Sequence, residues 1–111
     1  MDITKREKDG VTILELKGDS NVDITFQMRS KMELILESGA RKIVLNLSGV
    51  TRLDSPGLGA LVGALENTEK LGGRLKLAAI SSKAYDILVI SRLLHVFYTY
   101  DTEDEAIKSF A

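Results

Sequence analysis

Apolar and polar positions along this chain follow two periods in turn. Ile3 to Lys8 and Val11 to Lys17 read as extended arms on either side of Asp9-Gly10, a strong two-residue hairpin signal. The first arm carries Lys5, Arg6, Glu7 and Lys8, the dress of a charged edge strand. Residues 25–37 place Met28, Met32, Ile35 and Leu36 at the spacing of one buried helical stripe, ended by Ser38-Gly39. Ile43 to Leu47 is apolar on both faces except at Asn46, which predicts a central strand covered on both sides. A short polar turn is expected after it, and then a helix with Leu58, Leu61, Val62 and Leu65 inward, stopping at Gly72-Gly73. Leu75 to Ile80 predicts the next strand, and Ser81-Ser82 a capped helix holding Ala84, Ile87 and Leu88. Val96 to Tyr100 predicts a last strand, and Thr102 with Glu105 forms a capping box for a final helix. The order is β-β-α-β-α-β-α-β-α. It predicts a single α/β domain over residues 1–111: one mixed sheet, a hairpin followed by parallel strands, with about four helices packed on it.

Composition narrows the function. The chain has 111 residues, 44% of them hydrophobic and 28% charged, which suits one globular core. A net charge of −1 with no dense Lys/Arg block gives no footprint for nucleic acid or anionic lipid. The absence of cysteine excludes disulfides and thiolate-bound zinc. No stretch approaches the ~18 apolar residues of a membrane span, and the first residues do not read as a signal peptide. The expectation is a cytoplasmic protein without membrane insertion or direct nucleic-acid contact.

Little in the chain points to catalysis, a metal or a cofactor. His95, the sole histidine, lies near a strand start with no paired nucleophile in sequence, and reads as structural or superficial. Ser55 is not in a G-x-S-x-G elbow. Gly57, Gly59 and Gly63 miss G-x-G-x-x-G by one residue and begin inside the helix, so dinucleotide binding has weak support. Glu103, Asp104 and Glu105 are better explained by a helix dipole than by a metal.

The segment Asp54-Ser55-Pro56-Gly57-Leu58-Gly59 carries more. Pro56 suits a first helical turn, and it favours an extended residue before it, so Ser55 is predicted to be the N-cap. Its hydroxyl would then sit at the electropositive helix end, a prepared position for a phosphate, with the N–H groups of Gly57 and Leu58 available to receive it. Serine is also a common cap with no further role. Gly57, Gly59 and Gly63 each lower helix stability by about 1 kcal/mol relative to alanine. With Leu58 inward, Gly59, Ala60, Gly63 and Asn67 fall on the opposite side, expected to face solvent and to admit close approach of another molecule; packing within the chain is the competing explanation.

Read from Leu45 to Leu61, the run Leu45-x-Leu47-Ser48-Gly49-Val50-x-x-Leu53-Asp54-Ser55-x-Gly57-Leu58-Gly59-Ala60-Leu61 resembles the signature of STAS domains, in particular bacterial anti-sigma factor antagonists. The resemblance extends to the opening hairpin, Gly18, the Leu71-Gly72-Gly73 turn, the Ser91-x-Leu93 region and the last short helix. It implies that Ser55 is phosphorylated by an anti-sigma factor with serine kinase activity, and reset by a protein phosphatase. Unphosphorylated, such a protein binds the kinase and frees a sigma factor. It implies a partner-binding surface at Asp23, Asp54, Pro56, Gly57, Gly59, Ala60 and Gly63, no cofactor, and no enzymatic activity of its own. The run Asp19-Ser20-Asn21-Val22-Asp23 departs from the usual leucine/isoleucine-aspartate-alanine pattern, and Pro56 stands where a small residue is usual. Two other readings are a STAS subunit of a transport or stress-signalling assembly and a small-ligand or nucleotide-binding domain, with Ser55 only a cap in the first and the helix N-terminus an anion site in the second.

Overall fold

A computed structural model describes residues 2–19 and 23–111. Strands β1 (Asp2–Lys8), β2 (Val11–Asp19), β3 (Lys42–Arg52), β4 (Arg74–Ala78) and β5 (Tyr98–Tyr100) form one sheet in the order β1-β2-β3-β4-β5. β1 and β2 are antiparallel, and β3, β4 and β5 each run parallel to the strand before them. The hairpin turns at Asp9 (φ 54°) and Gly10 (φ 78°), and two successive positive φ values are what a type I′ turn needs. The α/β class and the mixed sheet are as the pattern indicated.

Among the described residues four helices accompany the strands: α1 (Ile24–Glu37), α2 (Ser55–Lys70) and α3 (Ser82–Ile90) between successive strands, and α4 (Glu103–Lys108) after the last. One face of the sheet, with Leu14, Leu45, Leu75 and Leu77, packs on Met28, Met32, Leu61 and Leu88 of α1, α2 and α3. The other face is covered by α4, whose Ala106 and Ile107 sit on Val11, Ile13, Val44 and Ala78. Val44 and Leu45 are both fully buried, so β3 is the doubly covered strand expected of it.

Three boundaries differ from expectation. β3 does not stop at Leu47. It runs to Arg52, because Gly49 and Val50 pair with Lys17 and Gly18 of β2 across a register shift. Glycine suits the close approach at position 49, since a Cβ there would meet Lys17 and the Leu16 carbonyl at 3.1 and 3.2 Å, tighter than ordinary contact. β4 ends at Ala78 rather than Ile80, as Ala79 adopts φ 52°. The last strand is shorter than 96–100, because a 3₁₀ turn over Leu94–Val96, with Phe97 N–H bonded to the Leu94 carbonyl, withholds those residues from the ladder. His95 therefore lies exposed on that turn and not at a strand start.

Candidate functional site

The extended β3 sets the position of Ser55. Its pairing with β4 ends at Asn46, so the last residues of β3 project past the shorter strand before the chain turns into α2. Leu53 (7% exposed) and Leu61 (2%) anchor the turn and the helix in the core. Two further ties fix the surroundings. The Ser81 hydroxyl at the start of α3 donates to the Val50 carbonyl at 2.7 Å, and the Thr51 hydroxyl donates to the Asp19 carboxylate.

Asp54, not Ser55, is the N-cap of α2. It is extended (φ −115°, ψ −175°), and its carboxylate accepts the Gly57 N–H at 3.1 Å. Its carbonyl accepts the Leu58 N–H at 2.9 Å and closes the first turn. The helix thus begins one residue earlier than Pro56 implied. Proline is tolerated at the second position as well as the first, because neither N–H has an intrahelical partner. Ser55 becomes the first helical residue, exposed and without a capping duty. The N–H groups of Gly57 and Leu58, expected to be available to a phosphate, are already engaged by Asp54.

The α1–α2 side of the site departs from expectation in part. Gly59 and Asn67 are exposed and Gly63 is half-buried, but Ala60 (6% exposed) is buried against the core, and Gly57 is buried too. The inward stripe of α2 is Gly57, Ala60, Leu61, Ala64, Leu65 and Thr68, and Leu58 and Val62 are only half-buried. Gly59 and Gly63 instead border a groove between the helices, across from Thr25, Arg29 and Met32. A Cβ added at Gly59 or Gly63 would meet nothing within 4 Å, which removes internal packing as the reason for these glycines.

Asp23 comes to the same end of the molecule. It precedes α1 with helical dihedrals (φ −77°, ψ −16°), and its carbonyl accepts the Gln27 N–H at 3.0 Å. The Thr25 hydroxyl donates to the Pro56 carbonyl at 3.4 Å and ties the start of α1 to the start of α2. Thr25 was not legible as part of the site, because the bond spans two helices and no local pattern marks it. Residues 20–22 of the Asp19–Asp23 run lie outside the described residues. The acidic residues of α4 have an identified role: Glu103 accepts from Arg6 at 2.8 Å and from Asn46 at 2.7 Å. Among the described residues no cluster of His, Asp or Glu could hold a metal, and no helix is long and apolar enough to cross a membrane.

Comparison with known proteins agrees with the fold and the motif. The STAS domain family profile matches residues 2–106. The chain is 28% identical over 99 residues to the anti-sigma F factor antagonist of Paenibacillus polymyxa, covering 88% of this chain and 85% of that protein. The crystal structure of a Thermotoga maritima protein provisionally named an anti-sigma factor antagonist superposes with a TM-score of 0.87 at 28% identity, covering 96% of this chain and 92% of that one. The Bacillus cell fate determinant SpoIIAA in its phosphorylated form shares the fold, with a TM-score of 0.76 at 23% identity over 99% of this chain and 100% of that one. The profile match spans every strand of the sheet and all but the end of α4, and the chain belongs to the STAS domain family, with anti-sigma factor antagonists among its relatives.

Proposed function

We propose that this domain is an anti-sigma factor antagonist whose binding is switched by phosphorylation of Ser55. It is a binding module and kinase substrate rather than an enzyme. Unphosphorylated, it holds an anti-sigma factor with serine kinase activity; phosphorylated, it lets go, and a phosphatase restores it. The observation that carries this reading is the division of labour at the start of α2. Asp54 holds the helix, and Ser55 beside it is exposed with no structural task. A phosphate there leaves the cap intact.

The charge does the switching. Phosphorylation adds about −1.5 to −2 charge at neutral pH. The nearest helical N–H groups are held by Asp54, so the new dianion stands beside a carboxylate and faces outward. A partner seated over Ser55 must desolvate or repel it, at several kcal/mol. The same engaged N–H groups weigh against the reading of α2 as a small-anion or nucleotide site. The proposed contact surface is Asp23, Asp54, Ser55, Pro56 and Gly59, with Gly63 at the groove; Gly57 and Ala60 support it from beneath. The phosphorylated SpoIIAA structure supports the reading by analogy of fold.

The test is incubation with the anti-sigma factor kinase of the same genome and ATP, followed by peptide mass spectrometry. One phosphate is expected on the Ser55 peptide and none on the Ser55→Ala protein. That variant should keep its stability within about 0.5 kcal/mol, the range of an ordinary surface change. Equal labelling of wild type and Ser55→Ala would remove the proposal.

A further inference from the structure

The two edges of the sheet are built differently. β1 presents Lys5, Arg6, Glu7 and Lys8 in succession, which discourages further strand pairing. β5, Tyr98-Thr99-Tyr100, carries no charge and among the described residues is paired on one side only, with β4. Tyr100 turns its carbonyl towards β4, where it accepts the Ala79 N–H at 3.1 Å. Alternation along the strand then directs the N–H and C=O of Thr99 to the open side. Apolar surface accompanies that edge: Val89, Val96 and Tyr98 are 48%, 45% and 62% exposed. A cleft of about 380 Å³ beside Phe97 and Thr99 is bordered by Val89, Arg92, Leu94 and His95.

We infer that this edge pairs with the same edge of a second copy of the chain, antiparallel, about a two-fold axis at Thr99. The strand reads the same in both directions, so Thr99 faces the partner copy's Thr99 and each Tyr98 faces a Tyr100. Thr–Thr and aromatic–aromatic pairs are among those that stabilise antiparallel strands. The two Thr99 residues exchange both backbone hydrogen bonds, satisfying the groups that point outward. Charge selects the same arrangement. Arg92 borders the cleft beside Phe97 and Thr99 and Asp101 follows the strand, so an antiparallel partner brings each basic end to the other's acidic end. A parallel neighbour would set like against like. Two five-stranded sheets become one, and its outer edges are the charged β1 strands, so assembly stops at two copies. With three residues per strand the contact is small, and the dimer is weak and concentration-dependent.

Sedimentation velocity between about 10 μM and 1 mM tests this. The mean mass of the wild-type chain should rise from 12.2 kDa towards twice that value. Thr99→Lys and Thr99→Glu should each stay monomeric, because like charges then meet across the axis, and an equimolar mixture of the two should regain association. Thr4→Lys, on the opposite edge strand, should associate like the wild type. A wild-type chain that stays monomeric at about 1 mM overturns the inference. So does Thr99→Lys associating normally, or two folded Thr99 variants that fail to rescue each other. Should either variant not fold, amide spectra of the wild type decide. The Thr99 resonance should move with concentration while Thr4 stays fixed, and an unmoved Thr99 overturns the proposal.

Discussion

Asp54 and Ser55 are neighbours with similar capping ability, and the fold gives them different tasks. Aspartate and serine are both strong N-caps, and proline fits either of the first two helical positions, so the residue pattern located the start of α2 but could not assign the cap between them. The geometry does: the Asp54 carboxylate holds the Gly57 N–H, and its carbonyl holds that of Leu58. Asp54→Ala should therefore lose about 1 kcal/mol, within the usual range for a lost cap, read as a lower midpoint in urea at unchanged slope. Asp54→Asn should stay within a few tenths of the wild type, because asparagine caps as well. The pair separates capping from charge. If Asp54→Asn keeps its stability but is phosphorylated or bound differently, the carboxylate acts on the partner and not on the helix. Equal stability of Asp54→Ala and wild type would contradict the cap.

Elements were legible wherever one local signal dominated. Asp9-Gly10 marked the hairpin, Met28 to Leu36 the stripe of α1, and Ser81 and Thr102 the caps of α3 and α4, where each hydroxyl accepts the N–H three residues on. The differences arise where a neighbour decides. Ser48 to Arg52 look like a turn, yet β2 supplies a pairing partner for them through a bulge. Ala60 looks like an outer residue if Leu58 sets the inward direction, but α1 packs along α2 and draws Ala60 and Ala64 into the core. Gly63 keeps its meaning under this rotation, because it borders the groove with open space at its Cβ position. Gly63→Gln should raise stability by up to about 1 kcal/mol, the helix penalty of glycine, while a long side chain obstructs the groove between α1 and α2. Thermal melts should show an equal or higher midpoint, and phosphorylation by the kinase should slow. A lower midpoint would mean that the groove closes on Gly63 in solution; an unchanged rate would remove the groove from the contact surface.

At the scale of the molecule, the last helix is held by contacts that no local pattern announces. α4 has six residues, too few to stand without tertiary support. Its end is fastened by Lys76, which donates to the Ser109 hydroxyl at 2.7 Å and lies 4.2 Å from the centre of the Phe110 ring. Its start is fastened to the far edge of the sheet. Glu103 accepts from Arg6 of β1 at 2.8 and 3.0 Å and from Asn46 of β3 at 2.7 Å. Asn46, the one polar residue in the apolar run Ile43 to Leu47, is thereby explained, and its side-chain oxygen also accepts the Ser48 N–H at 2.9 Å. The helix dipole accounts for Glu103 only in part, since its ion-pair partner Arg6 is 97 positions away in sequence. Hydrogen bonding from Arg6, with that from Asn46 and the Arg6 and Lys8 charges, holds the Glu103 carboxyl below its ordinary value against the opposing effect of burial. A carboxyl lowered in the folded state binds its proton more weakly there than in the unfolded chain. Its contribution is complete above the ordinary glutamate value of about 4.3 and is lost as pH falls from there through the folded value. Glu103→Gln should cost about 1 kcal/mol at neutral pH, the scale of a partly exposed charged pair. It should also flatten the loss of stability on acidification below about pH 4.3, so that the two proteins converge in acid. Urea titrations of both from pH 7 downward measure this directly. A constant difference at every pH would show that Glu103 acts only through packing, and no difference at any pH would show that β1 and α4 are held together without it.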